Sequence, residues 1–524
     1  MPGPRRRDVL RLGAAAAAST AVAACTGGSG GSGGSGGAAV PPRPSGGTTT
    51  GPAPTSAAAA PDWARLADQL HGDLVRPGSA RYDRARELFD PRFDHVRPQA
   101  VVYCATARDV ATTVTFAREA GLPLALRSGG HSYAGWSTGT GVVLDVSRIS
   151  AVRVSGATAE VGAGARLIDV YAGVAAHGQA LPAGSCPTVG VAGLTLGGGQ
   201  GVLSRAWGLT CDNLIDVDLV TADGRLVTAD ARTEPDLFWA CRGGGGGSFG
   251  VATRFRFRLR PAPQVTSWYL RWDYVHAADV LTWWQRWAVG SPRAMWSTCK
   301  LLTRPGEATP SAQVSGSWVG PPAGLGLPMA ALVDQVGHPA AGSSRATHSY
   351  LGAMLAFAGC ATVAAAQCST PRTTFGAASH VLTTAAPDRA VALAVEQVAE
   401  RHQEFHPRQA GVSFDVLGGA VADLAPGDTA FPYRQALAVV QYTVGWPIGQ
   451  RRSEVRRDLR WLHAFRDAMS RDVGNAAYVN YADPRLTDWQ QAYYGANYPR
   501  LQRVKQHYDP DDVFRFPQSV RAAG

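Results

Sequence analysis

Apolar positions come in short runs broken by glycine-rich turns, and their spacing alternates between helical and strand-like. From Pro61 to Asp94 the chain is charged, with Leu66, Leu70 and Leu74 at helical i, i+4 spacing. PQAVVYCAT (98–106) predicts a strand. The stretch after it predicts a helix, a turn at Gly121 and a strand over 124–127. GVVLDVSRI (141–149) predicts an apolar strand, and 151–164 two strands around a Ser-Gly turn. RLIDVYAGVAAHG (166–178) predicts an amphipathic helix ending at Gly178, a residue suited to the position after a helix. Residues 214–230 predict a hairpin with Asp223-Gly224 as its turn. Residues 237–261 predict a helix start, a glycine loop and an alternating strand.

This mixture of short strands, helices and hairpins over 61–263 predicts an α+β nucleotide-binding domain. After Pro263 the texture changes. An aromatic-rich strand begins near Ser267 and a helix covers 277–288. Strands recur at 313–319, 411–417 and 436–444, and helices near 328–336 and 388–403. Residues 264–470, which include a basic amphipathic helix at 450–470, therefore predict a substrate domain: an antiparallel sheet backed by helices. Residues 471–524 form an aromatic tail, and no internal repeat is present.

The first 25 residues stand apart. A basic start and a run of mostly apolar residues from Gly13 to Ala24 precede Cys25. The run is too short to span a bilayer and reads as a targeting segment. RRDVLR resembles the twin-arginine export motif, and VAAC resembles a lipobox whose cysteine, Cys25, becomes acylated. The expected location is therefore the cell surface or the medium, with the membrane reached only through a lipid anchor. Residues 26–60, rich in Gly, Ser and Pro, predict a flexible tether. The net charge of +10 is concentrated partly in the targeting segment, and no long basic run follows, so nucleic acid is not an expected partner. Of the eight cysteines, six remain once Cys25 and Cys186 are set aside, and among these Cys360 with Cys368 is the expected local bridge, with free buried thiols as the alternative.

Three glycine clusters carry the chemistry: SGGHSYAG (128–135), GSCPTVGVAGLTLGGGQG (184–201) and RGGGGGSFGV (242–251). Without Cβ atoms, backbone N–H groups can crowd an anion such as a pyrophosphate. No P-loop, Rossmann fingerprint or nucleophile elbow accounts for them. No HExxH or paired CxxC is present, so no metal is expected.

These residues resemble FAD-linked oxidases of the vanillyl-alcohol-oxidase fold, specifically the berberine-bridge-enzyme-like branch with its PCMH-type FAD-binding domain. The resemblance runs from about residue 95 to 520. RSGGHS implies a covalent bond from His131 to the flavin 8α-methyl, and GxCxxVG one from Cys186 to flavin C6, giving bicovalent FAD. Both side chains are nucleophiles able to attack an electron-poor ring. It further implies FAD contacts from Arg127, Ser128, Gly129, Gly130 and Ser132, and from Val189, Gly190, Gly193, Gly197, Gly198 and Gly199. Val251 and Asn480 complete the set. Valine at 189 implies room for dioxygen at the ring.

In the tail, YVNYAD implies Tyr481 as the base that takes the hydroxyl proton, with Tyr478 nearby. An assisting carboxylate is expected from SFDVLGGAVADL, where Asp415 and Asp423 remain alternatives. The tail also carries YDPDDVF, with Asp512 where many relatives have asparagine; a turn position is expected. Trp268, Trp272, Trp283, Trp284, Trp287, Trp296 and Trp318 are core residues or a stacking platform. The implied activity is oxidation of an alcohol, in a sugar, oligosaccharide or phenolic compound, with electrons passed to dioxygen. A dehydrogenase using a quinone or protein acceptor, and a non-catalytic flavin-binding surface protein, are the alternatives.

Overall fold

The computed structural model describes residues 60–404 and 409–523. The expected targeting segment, the Cys25 anchor and nearly all of the tether lie outside the described residues. No helix among the described residues is long and apolar enough to cross a membrane.

Among the described residues three sheets of four or more strands organise the molecule, beside a two-stranded pair of Gln179–Ala180 with Arg260–Pro261. The first has four strands in the spatial order Asp73–Val75, Ala100–Tyr103, Val142–Asp145 and Leu124–Arg127. Its first pair is antiparallel and the other two are parallel. Ala100–Tyr103 and Val142–Asp145 are nearly or wholly buried, which accounts for the apolar run in each, broken only at Asp145. The helix Ala107–Glu119 connects Ala100–Tyr103 to Leu124–Arg127 and starts at Thr106, whose hydroxyl accepts the Asp109 N–H. The second sheet has five antiparallel strands, ordered Val152–Ser155, Thr158–Gly162, Val251–Arg258, Leu214–Val220 and Leu226–Asp230.

The third sheet is antiparallel with seven strands. Its order is Gly342–Ser349, Gln264–Trp272, Ser311–Val319, Met295–Thr303, Ala410–Val416, Ala438–Trp446 and Thr374–Leu382. Helices Ala277–Gly290, Asp388–Glu404 and Arg452–Val473 pack against it. Trp268, Trp272, Trp284, Trp287 and Trp318 are buried in this packing. The Trp284 indole N–H donates to Ser297 Oγ (3.0 Å) and that of Trp287 to the Pro328 carbonyl (2.8 Å). Core packing therefore explains most of the tryptophans.

The helical spacing of Leu66, Leu70 and Leu74 does not produce one helix. The helix ends at Gln69, and Leu74 lies in the strand Asp73–Val75. The Asp109 carboxylate accepts the N–H groups of His71 and Gly72 (3.0 Å each), turning the chain out of the helix. A side chain at 72 would stand 1.8 Å from the Tyr103 carbonyl oxygen, so glycine allows the strand to close on its neighbour.

The two halves share an interior. Tyr350 Oη donates to the Leu181 carbonyl (2.8 Å) and accepts its N–H (3.1 Å), while its ring meets Tyr171 edge-on. The tail returns to the third glycine cluster. Buried Lys505 donates to the carbonyls of Ser248 (3.1 Å) and Phe514 (2.7 Å) and pairs with Asp509 (2.6 Å). Asp512 sits at φ 51°, a left-handed turn conformation that Asp tolerates, with Oδ1 3.0 Å from Lys505 Nζ. Cys360 and Cys368 are disulfide-bonded, and Cys104, Cys211, Cys241 and Cys299 are buried thiols.

Candidate active site

The three glycine clusters converge on one cavity of about 510 Å³. Its wall includes Arg127, Ser128, Gly129, Gly130, His131 and Ser132 from the first cluster, and Cys186, Val189, Gly190 and Gly193 from the second. Gly245, Gly246, Gly247 and Val251 come from the third. The first two loops interlock. A Cβ at Gly129 would stand 2.2 Å from Gly190 N, and one at Gly190 would stand 2.1 Å from Ser128 Oγ. Only two glycines allow this crossing.

Gly197, Gly198 and Gly199 do not face the cavity; they form its backing. A Cβ at Gly197 would stand 2.0 Å from Asn480 Oδ1. Asn480 lines the cavity and donates to the Leu194 carbonyl and to Tyr478 Oη (3.0 Å each). Tyr478 Oη also accepts the N–H groups of Gly199 (3.0 Å) and Gln200 (3.4 Å). Burial pushes the Tyr478 phenol up to about 12, and its oxygen is engaged by the glycine loop.

Arg127 reaches the cavity wall, but its guanidinium is committed elsewhere. It pairs with buried Asp145 (2.5 Å) and donates to the Ala85 carbonyl (2.7 Å). Ser128 Oγ donates to the Ala163 carbonyl (2.7 Å), and Ser132 Oγ accepts the Trp136 N–H (3.0 Å). The first-cluster side chains thus brace the loop rather than offer free donors.

His131 stacks on Phe89 (3.9 Å between ring centroids, planes 18° apart), and its Nε2 lies 3.0 Å from Thr188 Oγ1. It also lines the cavity. Burial pushes the imidazole down to about 3, so the ring is neutral near pH 7. Cys186 lines the same cavity.

The residues present fit a flavin dinucleotide. Ser137 Oγ, Thr138 Oγ1 and both amide atoms of Gln200 line the cavity, are buried, and have no hydrogen-bond partner. Each such atom costs about 1–3 kcal/mol unless a bound group satisfies it. The space beside Gly193 is open for at least 4 Å along its Cβ direction.

A second cavity, about 100 Å³, lies on the polar face of the seven-stranded sheet. Lys300 and Thr298 reach it from one strand, Ser413 and Asp415 from the next, and Gln441 from the third. The register sets Thr298 opposite Asp415, Lys300 opposite Ser413, and Ser413 opposite Gln441. Trp296 belongs to this wall, with a buried, unpartnered indole N–H. Ser185, Gln200 and Tyr481 line both cavities.

Burial raises the Asp415 carboxyl above its ordinary range, with the Lys300 ammonium pulling the other way. Burial, then the charge of Asp415, raises the Tyr481 phenol well above 10. Tyr481 is therefore a protonated phenol near neutral pH, not a standing phenolate. Its ring stacks on Tyr133, and Tyr133 Oη accepts a hydrogen bond from Gln441 Nε2 (2.8 Å).

Asp423 is not brought to the site. It is exposed, lines neither cavity, and pairs with exposed Arg293 (2.5 Å). Between the two expected carboxylates, only Asp415 faces Tyr481's cavity. Sequence reasoning missed Tyr133, although it stands two residues after His131. It also missed Thr298, Lys300 and Gln441, whose signal was a polar residue at alternate positions of a buried strand. His276, Asp279 and His338 place ligand atoms within 4.8 Å of one another outside both cavities. That is looser than the ~3.3 Å between neighbouring ligands of a tetrahedral zinc, and two of the rings stack face to face.

A glycine-walled dinucleotide cavity meeting a polar cavity at one tyrosine defines a flavin-dependent oxidoreductase. The family described as FAD binding domain matches residues 98–230, and that described as berberine and berberine like matches 477–521. The chain is 32% identical over 460 residues to the uncharacterized FAD-linked oxidoreductase YgaK of Bacillus subtilis (86% of this chain, 97% of that protein). It is 31% identical over 509 residues to the xylooligosaccharide oxidase of Thermothelomyces thermophilus (91% and 98%). The solved structure of glucooligosaccharide oxidase from Acremonium strictum, described as carrying 6-S-cysteinyl, 8α-N1-histidyl FAD, matches with TM-score 0.80 and 26% identity (88% of this chain, 99% of that one). The chain belongs to the berberine bridge enzyme-like FAD-linked oxidoreductases, and its cofactor is FAD.

Proposed function

We propose that this protein is an exported oxidase that oxidises an alcohol group of a sugar or oligosaccharide and reduces dioxygen to hydrogen peroxide. One observation carries the reading: Tyr481 stands in the wall common to the flavin cavity and a small polar cavity containing Asp415. The serine, threonine and glutamine side chains of that polar cavity suit a polyhydroxylated substrate. The names of the oligosaccharide oxidases among its relatives support the same substrate class.

FAD, when bound, supplies the two-electron acceptor for the carbon bearing the hydroxyl and returns those electrons to dioxygen. The substrate hydroxyl binds Tyr481 Oη. Its proton passes to Tyr481 as the C–H bond breaks, and the phenol's own proton passes to Asp415. A carboxylate whose proton affinity is raised by burial suits that last step. Lys300 balances the charge on Asp415, and Gln441 steadies Tyr133, on which Tyr481 stacks. Val189 stands in the cavity wall, where the family resemblance implies room for dioxygen.

His131 and Cys186 are the two tethers in this reading. The Cys186 tether needs a free, reduced sulfur. Loading in a reducing cytoplasm before twin-arginine export meets that need, and the N-terminal RRDVLR supports the route. The test is a peroxide-release screen of purified protein against oligosaccharides, monosaccharides and phenolic alcohols. Oxidation of oligosaccharides with one peroxide per carbonyl formed is expected. Turnover only with a quinone or dye acceptor, without peroxide, contradicts the oxidase reading.

A further inference from the structure

We infer that Thr188 is the positioning residue for histidyl attachment of the flavin: its hydroxyl holds the Nε2 side of His131 so that Nδ1 is the nitrogen presented to the cavity. The inference rests on the proposed tether at His131. Thr188 lies between Cys186 and Gly190 and so belongs to the loop bearing the second tether. Its Oγ1 is 3.0 Å from His131 Nε2, and no other hydrogen bond fixes that ring among the described residues. Phe89 covers one face of the ring at 3.9 Å, so rotation about the Cβ–Cγ bond meets the phenyl group.

The two loops are also locked main chain to main chain. A Cβ at Gly129 would stand 2.8 Å from the Thr188 carbonyl oxygen as well as against Gly190 N. The threonine therefore keeps a fixed place relative to His131, and its hydroxyl reads the ring at one edge. A neutral imidazole carries one N–H. With that N–H on Nε2 donating to Thr188 Oγ1, the Nδ1 lone pair is free to attack.

The attachment step balances as follows. A bond forms between Nδ1 and the 8α carbon, and the 8α-methyl gives up one proton. The imidazole then loses its Nε2 proton, which departs through the Thr188 hydroxyl. Two electrons remain on the flavin and pass to dioxygen, which takes up two protons to form hydrogen peroxide.

Histidyl and cysteinyl adducts are separable by peptide mapping, so the experiment reads each bond alone. Full-length apoprotein of the wild type, Thr188→Val and Thr188→Ser is mixed with FAD in air under reducing conditions, and adduct masses are followed with time. Fragmentation locates the bonded ring nitrogen. Valine is expected to slow formation of the His131 adduct by about tenfold, the scale of one lost neutral hydrogen bond, and to allow bonding at Nε2. The Cys186 adduct should form at the wild-type rate, which also shows that the variant is folded. Serine should restore the Nδ1 adduct. A Thr188→Val protein that forms the Nδ1 adduct as fast as wild type overturns the inference. Equal slowing of both adducts overturns it too, because that marks a general disturbance of the loop. Wild-type protein with a Cys186 adduct and none at His131 removes the tether reading and this inference with it.

Discussion

Tyr133 and Tyr481 stack with ring centroids 5.4 Å apart and planes 5° from parallel, at the junction of the two cavities. The pair separates orientation from proton transfer. Tyr481→Phe keeps the stack and removes the hydroxyl. It should lower kcat/KM by roughly 10²–10⁴, the range for loss of a positioned acid–base group, with FAD content unchanged. Tyr133→Phe loses only the Gln441 hydrogen bond and should cost about tenfold or less. Steady-state kinetics on flavin-normalised protein checks both.

Asp415 predicts the shape of the pH profile. In the proposed relay its carboxyl must be ionised to receive the Tyr481 proton, and burial raises its pKa above the ordinary value of 3.8. Activity should therefore rise with pH through that raised transition and fall on acidification. Asp415→Asn should lower kcat/KM and abolish the acid limb. An unchanged acid limb in the variant assigns that ionisation elsewhere.

Asp90 predicts a stability effect away from the chemistry. Burial raises its carboxyl to about 6, against the pull of Arg92. The folded state thus holds more protons than the unfolded chain between pH ~4 and ~6, and stability falls as pH rises across that window. The cost in the charged form is at most about 3 kcal/mol. Asp90→Asn keeps an acceptor for the Arg92 N–H and should flatten this slope in urea titrations at a series of pH values.

Lys505 ties the tail to the glycine loop beside the flavin cavity. Lys505→Ala leaves buried Asp509 without its cation and the Ser248 and Phe514 carbonyls without their donor. A loss of about 3–5 kcal/mol is expected, read by denaturant unfolding. Flavin retention should fall with it, because Gly245–Gly247 line the cavity.

The first half of the chain was largely legible. Its hairpins announce themselves through turn residues such as Asp223-Gly224, and its helix 107–119 through periodicity. The second half was less so, for physical reasons. Met295–Thr303 is buried on both faces along nearly its whole length, so burial does not alternate along it, while Gly342–Ser349 is a polar edge strand. Thr374–Leu382 is rich in small residues. His131, Cys186 and Tyr481 could be singled out because they sit in short motifs, and the fold brings all three to one cavity wall. The choice of Asp415 over Asp423 was not legible in the sequence, since they stand only eight positions apart and only the fold sends one inward and the other to solvent. Lys300 and Gln441 depend on strand register, which becomes visible only when the sheet is assembled.

The central claim is that the flavin and an alcohol substrate meet at Tyr481. Anaerobic mixing of the FAD-loaded protein with a cello- or xylo-oligosaccharide tests it most directly. The account predicts rapid bleaching of the visible flavin band, recovery on admitting air with one peroxide per flavin, and bleaching slowed by roughly 10² or more in Tyr481→Phe. Bleaching at an equal rate in that variant, or none with any sugar while another class of reductant bleaches the flavin, contradicts it.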